Sequence, residues 1–266
     1  MHHVARKRFG QHFLADRQCV RRIVDAVDPR PDDLMVEIGP GLGALTRPLL
    51  ERVRHLTAVE IDRDIAAALR MEFAPDRLTV CEQDALEFDF AALGAGLRVV
   101  GNLPYNISTP ILFHLAAARP ALQDLHLMLQ KEVVDRMAAA PATPAYGRLS
   151  VMLQYRFEVD PLFGVPPSAF RPPPKVHSTV VRLRPVRVPA VAARDESLLA
   201  QIVTKAFGQR RKTLRNALMG LVSEDALRAL GIDPGVRGEA LPIAAFVAIA
   251  NVAAEAASRV RRPSSG

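Results

Sequence analysis

The sequence has no tryptophan, three tyrosines and only two cysteines in 266 residues. Cys19 and Cys81 stand far apart and form no Cys-x-x-Cys pair. That spacing argues against a structural zinc site or a disulfide framework and fits a reducing cytoplasm. No metal is expected. A run of about 18 apolar residues, the least a spanning helix needs, is missing as well, so no membrane partner is expected. The basic opening, Met1-His2-His3-Val4-Ala5-Arg6-Lys7-Arg8, is followed by no apolar stretch and does not read as a secretory signal. Acidic side chains are in deficit: 35 Lys+Arg against 28 Asp+Glu leave a formal charge of +7. Such a balance has two readings of equal weight, a polyanionic partner such as nucleic acid or a basic proteome. The distribution adds that the charge is clustered, at Arg6-Lys7-Arg8, at Arg210-Arg211-Lys212 with Arg215, and in a tail of Arg259, Arg261 and Arg262.

What the chain does contain is ordinary for a globular protein, with 49% hydrophobic and 24% charged residues. Apolar runs at 34–38, 56–61, 78–81, 97–101 and 122–129 read as strands, and the segments between them as helices. Asp16 and Asp62 stand where helix N-caps belong. Strands alternating with helices predict a doubly wound, mostly parallel α/β sheet. Two late strands, at 156–163 and 176–183, are separated by Pro166-Pro167-Ser168-Ala169-Phe170-Arg171-Pro172-Pro173-Pro174-Lys175. This stretch is too proline-rich for either element, so it predicts a stiff loop and an antiparallel edge. A helix at 149–154 is placed in the same domain. The Pro/Val/Ala segment 185–193 reads as a linker. Beyond it only helical patterns occur, at 196–207, 211–221, 223–230 and 242–258. The expected domains are therefore residues 1–190 and a small all-helical domain at 191–266.

Two stretches carry chemistry. Residues 101–108, Gly-Asn-Leu-Pro-Tyr-Asn-Ile-Ser, lie where the fourth strand stops and a helix starts. Ligands of open α/β sheets bind at such strand ends. An amide oxygen and a main-chain carbonyl both accept protons from an amino group, proline fixes the turn, and tyrosine offers a flat face to a base. The group fits an exocyclic amine on a planar ring, although an ordinary strand-to-helix turn uses the same residue types. Asn106, Ser108 and Thr109 read as helix caps. The second stretch, Glu37-Ile38-Gly39-Pro40-Gly41-Leu42-Gly43, ends the first strand in a glycine turn. Gly39-x-Gly41-x-x-Ala44 also fits a dinucleotide fingerprint, so an NAD-dependent oxidoreductase is the rival. Glu37 opposes that rival, because a carboxylate is unfavourable beside a pyrophosphate and suits a cationic ligand. Glu60, after the second strand, suits ribose hydroxyls in either case. Asp84 follows the third strand.

Together these residues resemble class I methyltransferases, Rossmann-like enzymes that act here on an adenine amino nitrogen. Arg8-Phe9-Gly10-Gln11-His12-Phe13-Leu14, residues 101–110, Leu129-Gln130-Lys131-Glu132-Val133 and Phe170-Arg171-Pro172-Pro173-Pro174-Lys175-Val176 narrow the likeness. The chain is similar throughout to the KsgA/RsmA group, the dimethyladenosine transferases of small-subunit (16S) ribosomal RNA. The resemblance implies S-adenosylmethionine as cofactor, with His12 and Leu14 over it, Gly39 and Gly41 beside its methionine part, Glu60 on the ribose and Asp84 on the adenine. It places Asn102 between cofactor and target, gives the target amino group the Asn102 side chain and the Leu103 carbonyl, and lets Pro104 fix the turn. Tyr105 and Phe170 are expected on opposite faces of the base. His12 departs from the asparagine that many members carry.

The same resemblance implies N6,N6-dimethylation of two adjacent adenines in the 3′-terminal hairpin of 16S ribosomal RNA, late in 30S assembly, by a cytoplasmic monomer. Arg6, Lys7, Arg8, Lys175, Arg210, Arg211 and Lys212 are the expected phosphate contacts, since positive side chains position nucleic acid rather than read it. Two alternatives share the fold: an Erm-type enzyme that methylates 23S ribosomal RNA, and a non-catalytic assembly factor. The latter predicts loss of Asn102 or Tyr105, and both are present.

Overall fold

A computed structural model describes residues 12–187, 191–209 and 211–260. They divide into two compact units, Met1–Val134 with Phe157–Pro185, and Asp135–Arg156 with Val186–Gly266.

In the first unit β1 (Phe13–Leu14) precedes α1 (Arg17–Val27), β2 (Met35–Ile38), α2 (Thr46–Leu50), β3 (Leu56–Glu60), α3 (Arg63–Glu72) and β4 (Leu78–Glu82). β5 (Leu97–Asn102), α4 (Ser108–Ala117), β6 (Leu122–Gln130) and the start of α5 (Lys131–Met137) follow. The chain returns, after α6 (Arg148–Gln154), as β7 (Phe157–Val165), β8 (Phe170–Arg171) and β9 (Ser178–Pro185). A seven-stranded sheet has the order β4-β3-β2-β5-β6-β9-β7. The first five strands in that order run parallel, and β9 pairs antiparallel with both β6 and β7. The mostly parallel sheet and the antiparallel edge are as the apolar runs predict. Because β3 and β4 extend to one side of β2 and β5 lies on the other, the strand order reverses between β2 and β5. A crevice opens at the carboxyl ends of strands at such a reversal.

Local chemistry sets several of these elements. The Asp16 carboxylate accepts from the Gln18 and Cys19 N–H groups at 2.8 Å each, and Asp62 accepts from Asp64 N–H at 3.1 Å. Both cap a helix as expected. Gly101 pairs with Ile38, and a Cβ there would stand 2.8 Å from the Ile38 carbonyl oxygen. Only glycine lets β2 and β5 approach this closely. At the opposite end of β5 the buried Arg98 ties α1 to the sheet. Its guanidinium donates to Asp33 at 2.6 Å, to Asp124 at 2.8 Å and to the Val27 carbonyl at 2.6 Å. A cation here satisfies a free carbonyl at the carboxyl end of α1 and complements its dipole. The core gathers Ile23, Val24, Leu49, Leu56, Ile65, Leu69, Met128 and Phe170.

The second unit comprises the end of α5, α6, α7 (Glu196–Gly208), α8 (Leu214–Ala217), α9 (Glu224–Ala229) and α10 (Ile243–Val260). α7 packs against α6 and α10. The Phe207 ring lies 5.9 Å from Tyr146 and 5.7 Å from Phe246, and the Tyr146 hydroxyl donates to the Leu241 carbonyl at 2.9 Å. Residues 135–156, which the sequence pattern places with the sheet, thus belong to the helical unit. The reason is burial: Leu149, Val151, Met152 and Leu153 are all buried and α6 meets α7. Helix content in 211–221 is also smaller than the pattern predicts, reduced to α8, with Gly220 in a left-handed turn at φ +81°.

Candidate active site

The crevice between β2 and β5 opens into a cavity of about 550 Å³. That is within the range of small-molecule and cofactor sites, about 300–1,000 Å³. His12, Leu14, Gly39, Gly41, Glu60, Asp84, Asn102, Leu103, Pro104 and Tyr105 all line it, as does Glu37. They come from five separate stretches of chain, joined because β2, β3, β4 and β5 end on one side of the sheet.

Gly39, Gly41 and Gly43 have φ of +65°, +53° and +79°, a left-handed turn that side chains disfavour. Space also matters at Gly41, where a Cβ would stand 3.1 Å from the Phe13 ring. The turn thereby lays main chain directly along the cavity. Two buried carboxyls lie beneath it. Glu37 is 2% exposed and accepts from the Thr46 hydroxyl at 2.7 Å. Burial pushes its carboxyl up to about 7, with the neighbouring Glu60 adding to the rise and the Thr46 bond opposing it. Glu60 is also raised by burial, against the hydrogen bonds it accepts from the Asp62 N–H at 2.9 Å and the Gly41 N–H at 3.3 Å.

This arrangement separates the two cofactor readings. A dinucleotide site offers the N–H groups of its glycine turn to a pyrophosphate. Here the Gly41 N–H already donates to Glu60, and the Glu37 carboxyl beneath the turn opposes a pyrophosphate, while Glu60 suits a ribose in either case. The donor set instead fits S-adenosylmethionine, whose ammonium and sulfonium are cationic. Glu37 and the Gly39–Gly41 backbone would hold its methionine part, Glu60 its ribose, and Asp84 its adenine amino group. Asp84 already accepts from Leu86 N–H at 2.9 Å through one oxygen.

The turn after β5 is held from three sides. Leu103 N–H donates to the Met128 carbonyl at 3.2 Å. The Pro104 carbonyl accepts from the Ile107 N–H and the Ser108 hydroxyl, each at 3.2 Å. Ser108 therefore braces the turn and is not a cap. The α4 N-cap is Ile107, without a side-chain bond, so neither Asn106 nor Thr109 caps it. The Asn102 amide NH₂ donates to the main-chain carbonyl of His12 at 3.0 Å. A carbonyl only accepts, so the bond settles which end of the amide is nitrogen. Among the described residues nothing donates to Asn102 Oδ1 or to the Leu103 carbonyl. Two acceptors are therefore free at the cavity wall. The Tyr105 hydroxyl is tied to Ser178 Oγ at 2.9 Å, and its ring lies 5.8 Å from that of His12.

Phe170 is placed differently from the expectation. It is 1% exposed, packs into the core beside Leu14, Val165 and Ala169, and does not line the cavity. The pairing of β8 with β1 turns it inward, and its neighbours Arg171 and Pro172 line the cavity instead. Of the expected phosphate contacts, Lys175 is exposed in the first unit, and Arg211 and Lys212 are exposed in the second. Arg6, Lys7, Arg8 and Arg210 lie outside the described residues. Sequence reasoning overlooked Thr46, Ser178, Phe13, Arg171 and Pro172. Thr46 opens the helix that follows the glycine turn, and Ser178 opens the strand after the proline loop; those positions were the available signals.

Comparison with known proteins is consistent throughout. The family described as "Ribosomal RNA adenine dimethylase" matches residues 2–255. The chain is 60% identical, over 97% of both sequences, to a protein of Aromatoleum aromaticum named "Ribosomal RNA small subunit methyltransferase A". It is 61% identical to a protein of the same name from Nitrosospira multiformis, over 94% of this chain and 97% of that one. Among solved structures, a dimethyladenosine transferase from Plasmodium falciparum superposes with a TM-score of 0.75 at 25% identity, covering 90% of this chain and 96% of the other. The 23S rRNA methyltransferase ErmE gives 0.70 at 28% identity, covering 89% and 97%.

Proposed function

Because the chain belongs to the ribosomal RNA adenine dimethylases, we propose that it uses S-adenosylmethionine to dimethylate N6 of two adjacent adenines near the 3′ end of small-subunit ribosomal RNA. The observation that carries this reading is the pair of free acceptors, Asn102 Oδ1 and the Leu103 carbonyl, at the wall of a cavity lined by buried acids. Two acceptors match the two hydrogens of an exocyclic amine.

S-adenosylmethionine supplies an electrophilic methyl group on a sulfonium. The chain's own task is to make a poor nucleophile reactive. The lone pair of N6 is delocalised into the adenine ring. Asn102 and Leu103, by accepting both amino hydrogens, hold the nitrogen so that its lone pair is directed into the cavity. These bonds strengthen as positive charge develops on N6, so they stabilise the transition state more than the ground state. Tyr105, its hydroxyl anchored by Ser178, offers a face for the base, which must leave its stack to enter. Pro104 fixes the carbonyl that Leu103 presents. No general base is required, since the methylated cationic nitrogen loses its proton readily. A monomethylated amine still donates one hydrogen, and a dimethylated one donates none, so the finished product loses both contacts.

The names of the relatives at 60% identity favour the small subunit over the large one. The substrate is then an immature 30S particle, met in the cytoplasm by a monomer. Lys175, Arg211 and Lys212, which are exposed, are the proposed contacts to RNA phosphates.

The test is mass spectrometry of ribosomal RNA after incubation with labelled cofactor, using immature 30S particles and naked 23S RNA side by side. Dimethyladenosine confined to the 30S sample is expected; label confined to 23S RNA would transfer the assignment to the large subunit. Asn102→Ala should lower methyl transfer at least about 100-fold while leaving the fold intact.

A further inference from the structure

Asn102 can serve the amino group only with its oxygen turned to the cavity. An amide has two ends of similar size, and the wrong rotamer would present a donor to a donor. In this structure the choice is made by a residue ninety positions earlier, through the His12 carbonyl. His12 is in turn held by the other side of the site. β1 pairs with β8 so that Phe13 lies opposite Arg171 and Leu14 opposite Phe170. The next position in this register sets His12 against Pro172. There the ring makes the cross-strand bond: Nδ1 lies 2.8 Å from the Pro172 carbonyl oxygen. Carbonyl oxygen cannot donate, so Nδ1 carries the hydrogen. The imidazole also lies 5.8 Å from the Tyr105 ring at a tilt of 31°. One residue thus connects the proline loop, the Asn102 amide and the Tyr105 face.

We propose that His12 is a positioning residue for methyl transfer: its ring bond to Pro172 holds its main-chain carbonyl where it turns the Asn102 oxygen toward the target amine. This rests on the reading of Asn102 given above. It is distinct from any contact His12 makes with the cofactor, because it acts through Asn102 and needs only the Nδ1 donor. Histidine Nδ1 is bonded directly to Cγ, and so is the amide nitrogen of asparagine. Asparagine can therefore replace the donor at nearly the same point. Glutamine carries its amide one bond further out and cannot without moving the backbone.

The experiment compares His12→Asn, His12→Gln, His12→Ala, Asn102→Ala and the double variant His12→Gln/Asn102→Ala. Single-turnover methyl transfer, KM for RNA, and direct binding of S-adenosylhomocysteine are measured on the full chain, with thermal denaturation to show that each variant folds. Glutamine and alanine should lower kcat about 10- to 100-fold, the range a 1 Å misplacement costs. KM for RNA should stay within about threefold, and kcat is read at saturating S-adenosylmethionine, so that a cofactor contact of the His12 ring shows in S-adenosylhomocysteine affinity and not in kcat. Asparagine should recover kcat to within about threefold of the parent. The double variant should be no slower than Asn102→Ala alone, since a residue acting through Asn102 has nothing left to position. Equal losses in the asparagine and glutamine variants, a loss confined to cofactor affinity, or multiplied losses in the double variant would overturn the proposal. Near-parent activity of Asn102→Ala would instead overturn the reading of the site itself, whatever the His12 variants do.

Discussion

Replacing Glu37 by glutamine should make the protein more stable at neutral pH and less so relative to the parent at acid pH, and the size of the effect follows from the burial of the group. Its carboxyl is raised from 4.5 to about 7, which at about 1.4 kcal/mol per pH unit corresponds to about 3 kcal/mol. In the unfolded chain the group titrates near 4.5. Between that value and about 7 the folded protein binds the proton more often than the unfolded one, so stability falls as pH rises through this window. Below 4.5 both states are protonated and the contribution is fully present; above about 7 it is lost. Glutamine cannot ionise, yet keeps an oxygen for the Thr46 hydroxyl. The melting temperature of Glu37→Gln minus that of the parent should therefore grow by about 6–12 °C between pH 4.5 and 8, at about 2–4 °C per kcal/mol. Measuring the difference cancels carboxylates common to both proteins. Binding adds an independent check. The ammonium of S-adenosylhomocysteine favours the ionised form of Glu37, so affinity for the parent should rise up to about tenfold per pH unit as pH approaches 7 and then level off. In Glu37→Gln this dependence should flatten. Parallel melting profiles for the two proteins across the whole window would refute the reasoning.

Three further predictions concern the scaffold of the site. Gly101→Ala should destabilise the first unit by about 1–3 kcal/mol, because the added Cβ would stand 2.8 Å from the Ile38 carbonyl oxygen; chemical denaturation with an unchanged midpoint would contradict this. Arg98→Met should cost about 3 kcal/mol by leaving the half-buried Asp33 and Asp124 without their cation, and replacing all three by apolar residues should recover most of it. Tyr105→Ala should reduce kcat/KM about 10- to 100-fold through the loss of stacking. Tyr105→Phe, which loses only the Ser178 bond, should cost about fivefold. Similar losses for both would mean that the hydroxyl, not the ring, is what the site needs.

Much of this site is legible in the amino-acid order because its parts are local. A glycine turn after one apolar run, an acid after the next, and Asn-Leu-Pro-Tyr after the fourth are short patterns whose backbone requirements do not depend on distant residues. Their convergence follows from topology, since parallel strands joined by crossovers bring their carboxyl ends to one edge. The positive φ of Gly39, Gly41 and Gly43 and the caps at Asp16 and Asp62 are local choices of the same kind.

What only the tertiary structure decided is set by contacts between distant parts of the chain. The β1–β8 pairing joins two strands of two residues each, too short to show any period, and it turns Phe170 into the core. The membership of α6 in the helical unit depends on which partner buries its apolar side chains, and its own sequence does not name that partner. The high pKa of Glu37 comes from its burial and from Glu60 nearby, neither of which a sequence records. The orientation of the Asn102 amide is of the same nature. The type of residue offers a donor and an acceptor with equal readiness, and only the carbonyl of His12, brought alongside by folding, settles which of them faces the cavity.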